Sequence, residues 1–203
     1  MLDQIENAIQ VVVLLICTIA AVWMAISRRR RIWTLLAFFY GSWLLGDLYW
    51  LVCYLYYDTM PQISIVSDLS WYAANIFLYL FLREAAPPEK AHRILPWFGP
   101  VFAVGMAVYF MQWGEYLNNA VYAALMGLLL YASIHRLQDG QQRFLAALIL
   151  IYCLLEYGLW ISSCFWQESV LSEPYYWFDL MLTAGFFLFL PATRKAKRQD
   201  ELY

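Results

Sequence analysis

Residues 32–57 read IWTLLAFFYGSWLLGDLYWLVCYLYY, a run in which Asp47 is the single charged side chain. As a helix rising 1.5 Å per residue it would be roughly 39 Å long, more than the ~30 Å of a hydrocarbon layer. A run so long and so apolar is read as a membrane span, and six others accompany it. They fall at residues 8–27, 63–82, 94–113, 116–137, 144–165 and 175–190. Strand alternation is absent and the runs are too long for barrel strands. In lipid the backbone must satisfy its own hydrogen bonds, so helices follow. The expected fold class is an all-α integral membrane protein, with residues 1–203 forming a single seven-helix domain.

Composition agrees with this. Of 203 residues, 64% are hydrophobic and only 14% charged, with a mean hydropathy of +0.57. That lies well outside the range of a soluble domain. The net charge of −2 decides little, whereas the placement of the 13 basic residues decides much. Arg28 to Arg31 follow the first run, and Arg83, Lys90 and Arg93 lie between the third and fourth. Arg136 and Arg143 bracket the fifth-to-sixth connection, and Arg194, Lys195, Lys197 and Arg198 follow the seventh. With seven spans, all of them fall on one side. The positive-inside rule then sets the N-terminus outside and the C-terminus in the cytoplasm. The expected location is the cell (plasma) membrane.

The first run is expected to be a retained helix. Asp3 and Glu6 precede it and basic residues only follow it, the reverse of the charge order in a signal peptide. Cys17, Cys53, Cys153 and Cys164 lie within runs without metal-ligand or CxxC spacing, so packed thiols are expected; a Cys53–Cys164 pair near the outer ends stays open. No cofactor or metal motif appears and no nucleic-acid partner is expected. The partners to expect are the lipid bilayer, a small cationic or polar ligand, and a cytoplasmic protein at the basic inner face.

Residues 46–83 and 155–194 are alike. In each, an acid precedes a tryptophan by three or four positions (Asp47 and Trp50, Glu156 and Trp160), and a second acid opens the next run (Asp68, Asp179). That run closes on FLYLFLR in one case and FFLFLPATR in the other. A true duplication would make runs one to three and five to seven parallel copies around a lone fourth. Chance likeness between aromatic-rich helices accounts for the pattern equally well. The 3+1+3 layout resembles that of the sugar-carrying SWEET proteins, their PQ-loop relatives and the PnuC vitamin transporters. The resemblance is one of span count and symmetry and assigns no residue a role; the PQ here, Pro61 and Gln62, lies in a loop.

The candidate site grows from Asp47. Helix positions three, four and seven apart share a face. Around Asp47 that face holds Tyr40, Trp43, Trp50 and Tyr54; around Asp68 it holds Ser64, Trp71, Tyr72, Asn75 and Tyr79. Glu156 sits with Tyr152, Trp160 and Ser163, and Asp179 with Tyr175, Tyr176 and Thr183. By helix rise, Asp47 and Glu156 lie roughly 10 Å below the outer surface, with Asp68 and Asp179 nearer to it. Every basic side chain, and His92 and His135 with them, lies at the opposite surface. A charge at bilayer depth costs about 2.5–3.5 kcal/mol, so these acids need a proton, water or a cation.

The residues expected to bind a ligand or ion are therefore Asp47, Glu156, Asp68, Asp179, Trp43, Trp50, Tyr54, Tyr72, Asn75, Tyr152 and Trp160. For Asp68 and Asp179 the bland alternative is a helix-capping or first-turn acid favoured by the dipole. For Trp71, Tyr175, Tyr176 and Trp177 it is an interfacial belt, and this is the expected reading. The leading functional expectation is a secondary carrier of a cation or small amine, with proton coupling through a deep acid. The alternatives are a seven-helix sensor signalling through a cytoplasmic partner, and an intramembrane lipid-processing enzyme built on paired carboxylates. No catalytic residue is assigned and enzyme activity is not the favoured expectation. No lysine lies within a span, which removes a retinal Schiff base, and neither Gly-x-Ser-x-Gly nor HExxH occurs.

Overall fold

A computed structural model describes residues 2–57, 64–85, 94–139, 142–165 and 172–200, with backbone only for 139 and 195–200. All the regular structure in it is helical. Helix α1 runs Leu2–Arg28, α2 Arg31–Tyr57 and α3 Ile65–Ala85. Helix α4 (Phe98–Phe110) is flanked by 3-10 turns at Leu95–Trp97 and Met111–Trp113. Then follow α5 (Tyr116–Asp139), α6 (Arg143–Phe165) and α7 (Pro174–Asp200). Among the described residues, seven helical stretches are long and apolar enough to cross a membrane. The PQ dipeptide, Lys90, His92 and Arg93 fall outside the described residues.

Two boundaries differ from the sequence expectation. Helix α1 starts six residues early, at Leu2, because its polar first turns face other helices and are sheltered by them. Helix α7 passes through Pro191, where the sequence suggests a stop, since proline lacks the helical N–H donor. Ser64 precedes α3 and its carbonyl takes the Asp68 N–H at 2.9 Å. Arg29 adopts φ 49° and its N–H reaches the Ala25 carbonyl at 2.8 Å, closing α1 with a left-handed cap. Gly114, at φ 94°, makes the tight turn into α5, a conformation few other residues tolerate.

Helices α1, α2, α3, α5, α6 and α7 form a ring in that order, closed where α3 meets α5 and where α7 meets α1. Helix α4 stands outside the ring on α5, where Gly99 sits so close that a Cβ would lie 2.6 Å from that of Leu130. Its Phe102 and Phe110 reach α6, meeting Tyr157 and Trp160. The outward faces are apolar: Trp23 and Ile26 on α1 and Val101 on α4 are each about 70% exposed (69%, 70% and 69%). Apolar exposure on this scale suits lipid rather than water. All four cysteines are free thiols, so Cys53 and Cys164 do not pair.

The ring is filled in one half only. At the end carrying Arg28–Arg31, Arg83, Arg136, Arg143 and Arg194, a core of Leu36, Phe39, Phe81, Leu82, Phe186 and Phe189 excludes solvent completely or nearly so. Phe39 is surrounded by the rings of Tyr40, Tyr152, Phe186 and Phe189 at centroid distances of 5.3–6.0 Å. The opposite half, built from the beginnings of α1, α3, α5 and α7 and the ends of α2 and α6, is hollow.

Candidate functional site

The hollow half encloses a cavity of about 740 Å³, within the size range of small-molecule sites. Eight carboxylic residues line it: Asp3, Glu6, Asp47, Asp68, Glu115, Glu156, Glu173 and Asp179. Among the described residues, no lysine, arginine or histidine does. The wall also carries Trp43, Trp50, Trp71, Trp113 and Trp160, so acid and indole alternate around it.

Asp47 is 3% exposed and Asp179 4%. Each is anchored by one neutral donor: Trp71 Nε1 reaches Asp47 Oδ1 at 3.2 Å, and Gln10 Nε2 reaches Asp179 Oδ1 at 3.1 Å. The second oxygen of each, Asp47 Oδ2 and Asp179 Oδ2, is buried and has no hydrogen-bond partner; Glu156 Oε1 is in the same condition. A buried polar atom in a native protein is ordinarily partnered, so three such oxygens on residues lining one cavity call for a ligand, water or proton. The Glu6 carboxyl lies close enough to that of Asp179 for the two to interact.

The geometry around Asp47 rests on Gly46. A Cβ there would come within 2.7 Å of Trp71 Nε1, so only glycine lets this indole lie flat against α2 and reach the carboxyl. Gly158 on α6 plays the matching part for the Phe178 ring of α7, also at 2.7 Å. Trp71 is further held between Trp43 and Trp50, at centroid distances of 5.9 and 6.3 Å. Across the cavity Trp160 stacks on Phe110 at 4.4 Å and takes the edge of Tyr122 at 5.0 Å.

The cavity has a closed floor. Trp43 Nε1 donates to the Tyr152 hydroxyl at 3.2 Å, which donates to Asn75 Oδ1 at 3.0 Å; Asn75 Nδ2 in turn donates to the Trp71 carbonyl at 3.1 Å. This chain ties α2, α6 and α3 together beneath the acids. Tyr40 ties α2 to α7 through a 2.6 Å bond from its hydroxyl to the Phe186 carbonyl. Below these bonds lies the aromatic core.

Of the residues singled out from the sequence, Asp47, Glu156, Asp68, Asp179, Trp43, Trp50, Tyr54 and Trp160 come together on the wall. Tyr72, Asn75 and Tyr152 do not. Asn75 and Tyr152 belong to the floor network, and the Tyr72 hydroxyl donates to Asn118 Oδ1, bridging α3 to α5. Asp68 is both a first-turn acid of α3, accepting from Ser64 Oγ at 2.8 Å, and part of the wall. Asp179 lies beyond the first turn of α7 and is buried, so its placement is not that of a cap. Trp71, Tyr175 and Tyr176 face the cavity instead of a lipid interface, while Trp177 is 54% exposed.

Sequence reasoning missed the contribution of α1 and of the α4–α5 turn. Asp3, Glu6, Asn7 and Gln10 all line the cavity, and Tyr176 donates to Asp3. A signal was present: these four positions recur at spacings of one, three and four, a polar stripe on one face of the helix. Glu115, Asn118 and Asn119 follow the same rule at the start of α5.

No protein-family model, curated protein or solved structure matches the chain. The cavity therefore has to be read from its own chemistry.

Proposed function

We propose that the protein is a membrane carrier whose acidic, indole-lined cavity takes up a small organic cation. One observation carries this reading: three buried carboxyl oxygens without partners belong to residues of α2, α6 and α7 that line one cavity, and among the described residues no basic side chain lines it. A cation entering there would supply the missing hydrogen-bond donors, and the indole faces would add cation–π attraction of about 0.5–2 kcal/mol each. Among the described residues, Arg28–Arg31, Arg83, Arg136, Arg143 and Arg194 stand at the other end, which supports an orientation with the cavity open to the outside of the plasma membrane and the C-terminus in the cytoplasm.

The closed floor fits a carrier better than a channel, because passage requires the Trp43–Tyr152–Asn75 chain to break and the helices around it to move. The ring order is what a parallel 3+1+3 repeat generates: α1, α2, α3 and α5, α6, α7 succeed one another in the same sense, with α4 left outside. The neighbouring carboxyls of Glu6 and Asp179 offer a place for proton coupling.

That carboxyl pair also favours a second reading, an acid–base enzyme working within the membrane, since two neighbouring carboxyls can divide the roles of acid and base between them. The discriminating experiment is reconstitution in proteoliposomes with a panel of labelled organic cations. Saturable uptake by the native chain, lost in Asp47→Asn and Glu156→Gln variants that elute as the native protein does, is the expected result. Binding without flux would turn the reading to a sensor acting through a cytoplasmic partner at the basic face. Absence of both, with consumption of a lipid substrate, would turn it to the enzyme.

A further inference from the structure

At the basic end of the ring, Arg28 closes α1 and Arg31 opens α2, so that only Arg29 and Arg30 join the two helices. Arg29 takes φ 49° and bonds its N–H to the Ala25 carbonyl at 2.8 Å, while the Arg30 carbonyl takes the Trp33 N–H at 3.1 Å. The turn is pinned to the helices on both sides, and all four of its arginines are exposed. Like charges held this close repel one another, so the arrangement attracts an anion. The end of α3 brings Glu84, whose Oε2 lies 3.9 Å from Arg31 Nη1, but both side chains are open to solvent and Arg83 precedes Glu84 in the chain. That loose pair leaves the turn strongly positive. Next to the turn the surface is apolar. Ile19, Trp23 and Ile26 share one exposed face of α1, and Trp23 stands roughly 8 Å along the axis from Arg28. An indole favours the boundary between headgroups and acyl chains, which sets the arginines at the level of the lipid phosphates.

From this juxtaposition we propose that the Arg28–Arg31 turn binds an anionic phospholipid, with the phosphate among the guanidinium groups and the acyl chains along Ile19, Trp23 and Ile26. The site is independent of what the cavity takes up. Guanidinium groups grip phosphate through paired, charge-assisted hydrogen bonds, and a cluster of arginines beside a membrane span is drawn to anionic lipid. A zwitterionic lipid carries an ammonium group beside its phosphate and gains much less from four arginines. An acidic protein segment would meet the charges and leave the apolar face of α1 uncovered, so a lipid accounts for more of the surface.

The test titrates the purified full chain in detergent with phosphatidylglycerol and with phosphatidylcholine of the same acyl chains, and reads bound lipid by native mass spectrometry. The native chain is expected to prefer phosphatidylglycerol by about tenfold or more, each arginine contributing about fivefold. Arg29→Gln combined with Arg30→Gln is expected to lose most of that preference. Arg143→Gln combined with Arg194→Gln removes the same charge from other helices at this end, and is expected to change the preference by less than about twofold, since solvent and salt screen distant charges. Should the first variant fail to fold, lipids brominated in their acyl chains serve instead: phosphatidylglycerol is expected to quench native fluorescence more than phosphatidylcholine, and the excess to vanish in Trp23→Phe. Equal affinity of the native chain for both lipids would overturn the site and leave the turn to an acidic protein segment. Equal losses in the two double variants would overturn it as well, because the face would then act only through its summed charge.

Discussion

The two ends of the helix ring are made of the same six helices and differ in almost everything else. Toward the basic end the ring interior is Phe39, Phe81, Phe186, Phe189 and the leucines among them, packed without solvent. Toward the acidic end the same helices carry Gln10, Asp47, Asp68, Asn119, Glu156 and Asp179 around a cavity of about 740 Å³. Helix geometry therefore does not make the cavity. Side-chain choice does: large rings close one half, while acids, each pinned by a single neutral donor or by none, hold the other half open.

The largest effect expected from breaking this contrast comes from removing the acids. The double variant Asp47→Asn with Glu156→Gln should fold, since amides relieve a desolvation cost, and should lose organic-cation binding by tenfold or more, measured by titration in nanodiscs. Next comes damage to the closed half. Phe186→Ala should lower unfolding stability by about 2–3 kcal/mol in a thermal-shift or denaturant assay, mostly from the void left behind, since lipid tails are as apolar as the core.

Smaller effects sharpen the boundary between the halves. Gly46→Val should displace Trp71 and cost about 1–3 kcal/mol by overpacking, with a change in tryptophan fluorescence as the indole leaves Asp47. Tyr152→Phe removes the middle of the floor chain and should cost about 0.5–1.5 kcal/mol, with ligand affinity falling less than in the acid variants. Asp68→Asn is the mildest. Its carboxyl is only partly buried and serves the α3 dipole, so a loss of about 0.3–1 kcal/mol is expected, read by the same thermal assay.

Much of the fold was legible because a membrane imposes a length. The run 32–57 could be little else than a spanning helix, and its observed counterpart is Arg31–Tyr57. Where the reading missed, local rules were overridden by neighbours. Asp3 and Glu6 look like a polar tail ahead of a span, yet α7 and α2 shelter them, and α1 extends to Leu2. Trp71, Tyr175 and Tyr176 occupy the depth of an interfacial belt, but depth alone does not say whether a ring faces lipid or the ring interior. Tyr152 and Asn75 share a face with their acids, and one or two turns of depth separate wall from floor. Asp179 sits six residues into α7, where the sequence suggests an interfacial acid, and packing against α1 buries it.

The sequence by itself determined seven apolar helices and a segregation of charge, because hydrocarbon admits only internally bonded backbone and exacts a cost for each ion. Tertiary structure alone decided that acids from α1, α2, α3, α6 and α7 and from the turn into α5 converge on one cavity, and which oxygens of Asp47, Glu156 and Asp179 go without partners. Periodicity fixes the face of one helix at a time; only the packing of six helices around a ring settles what those faces share.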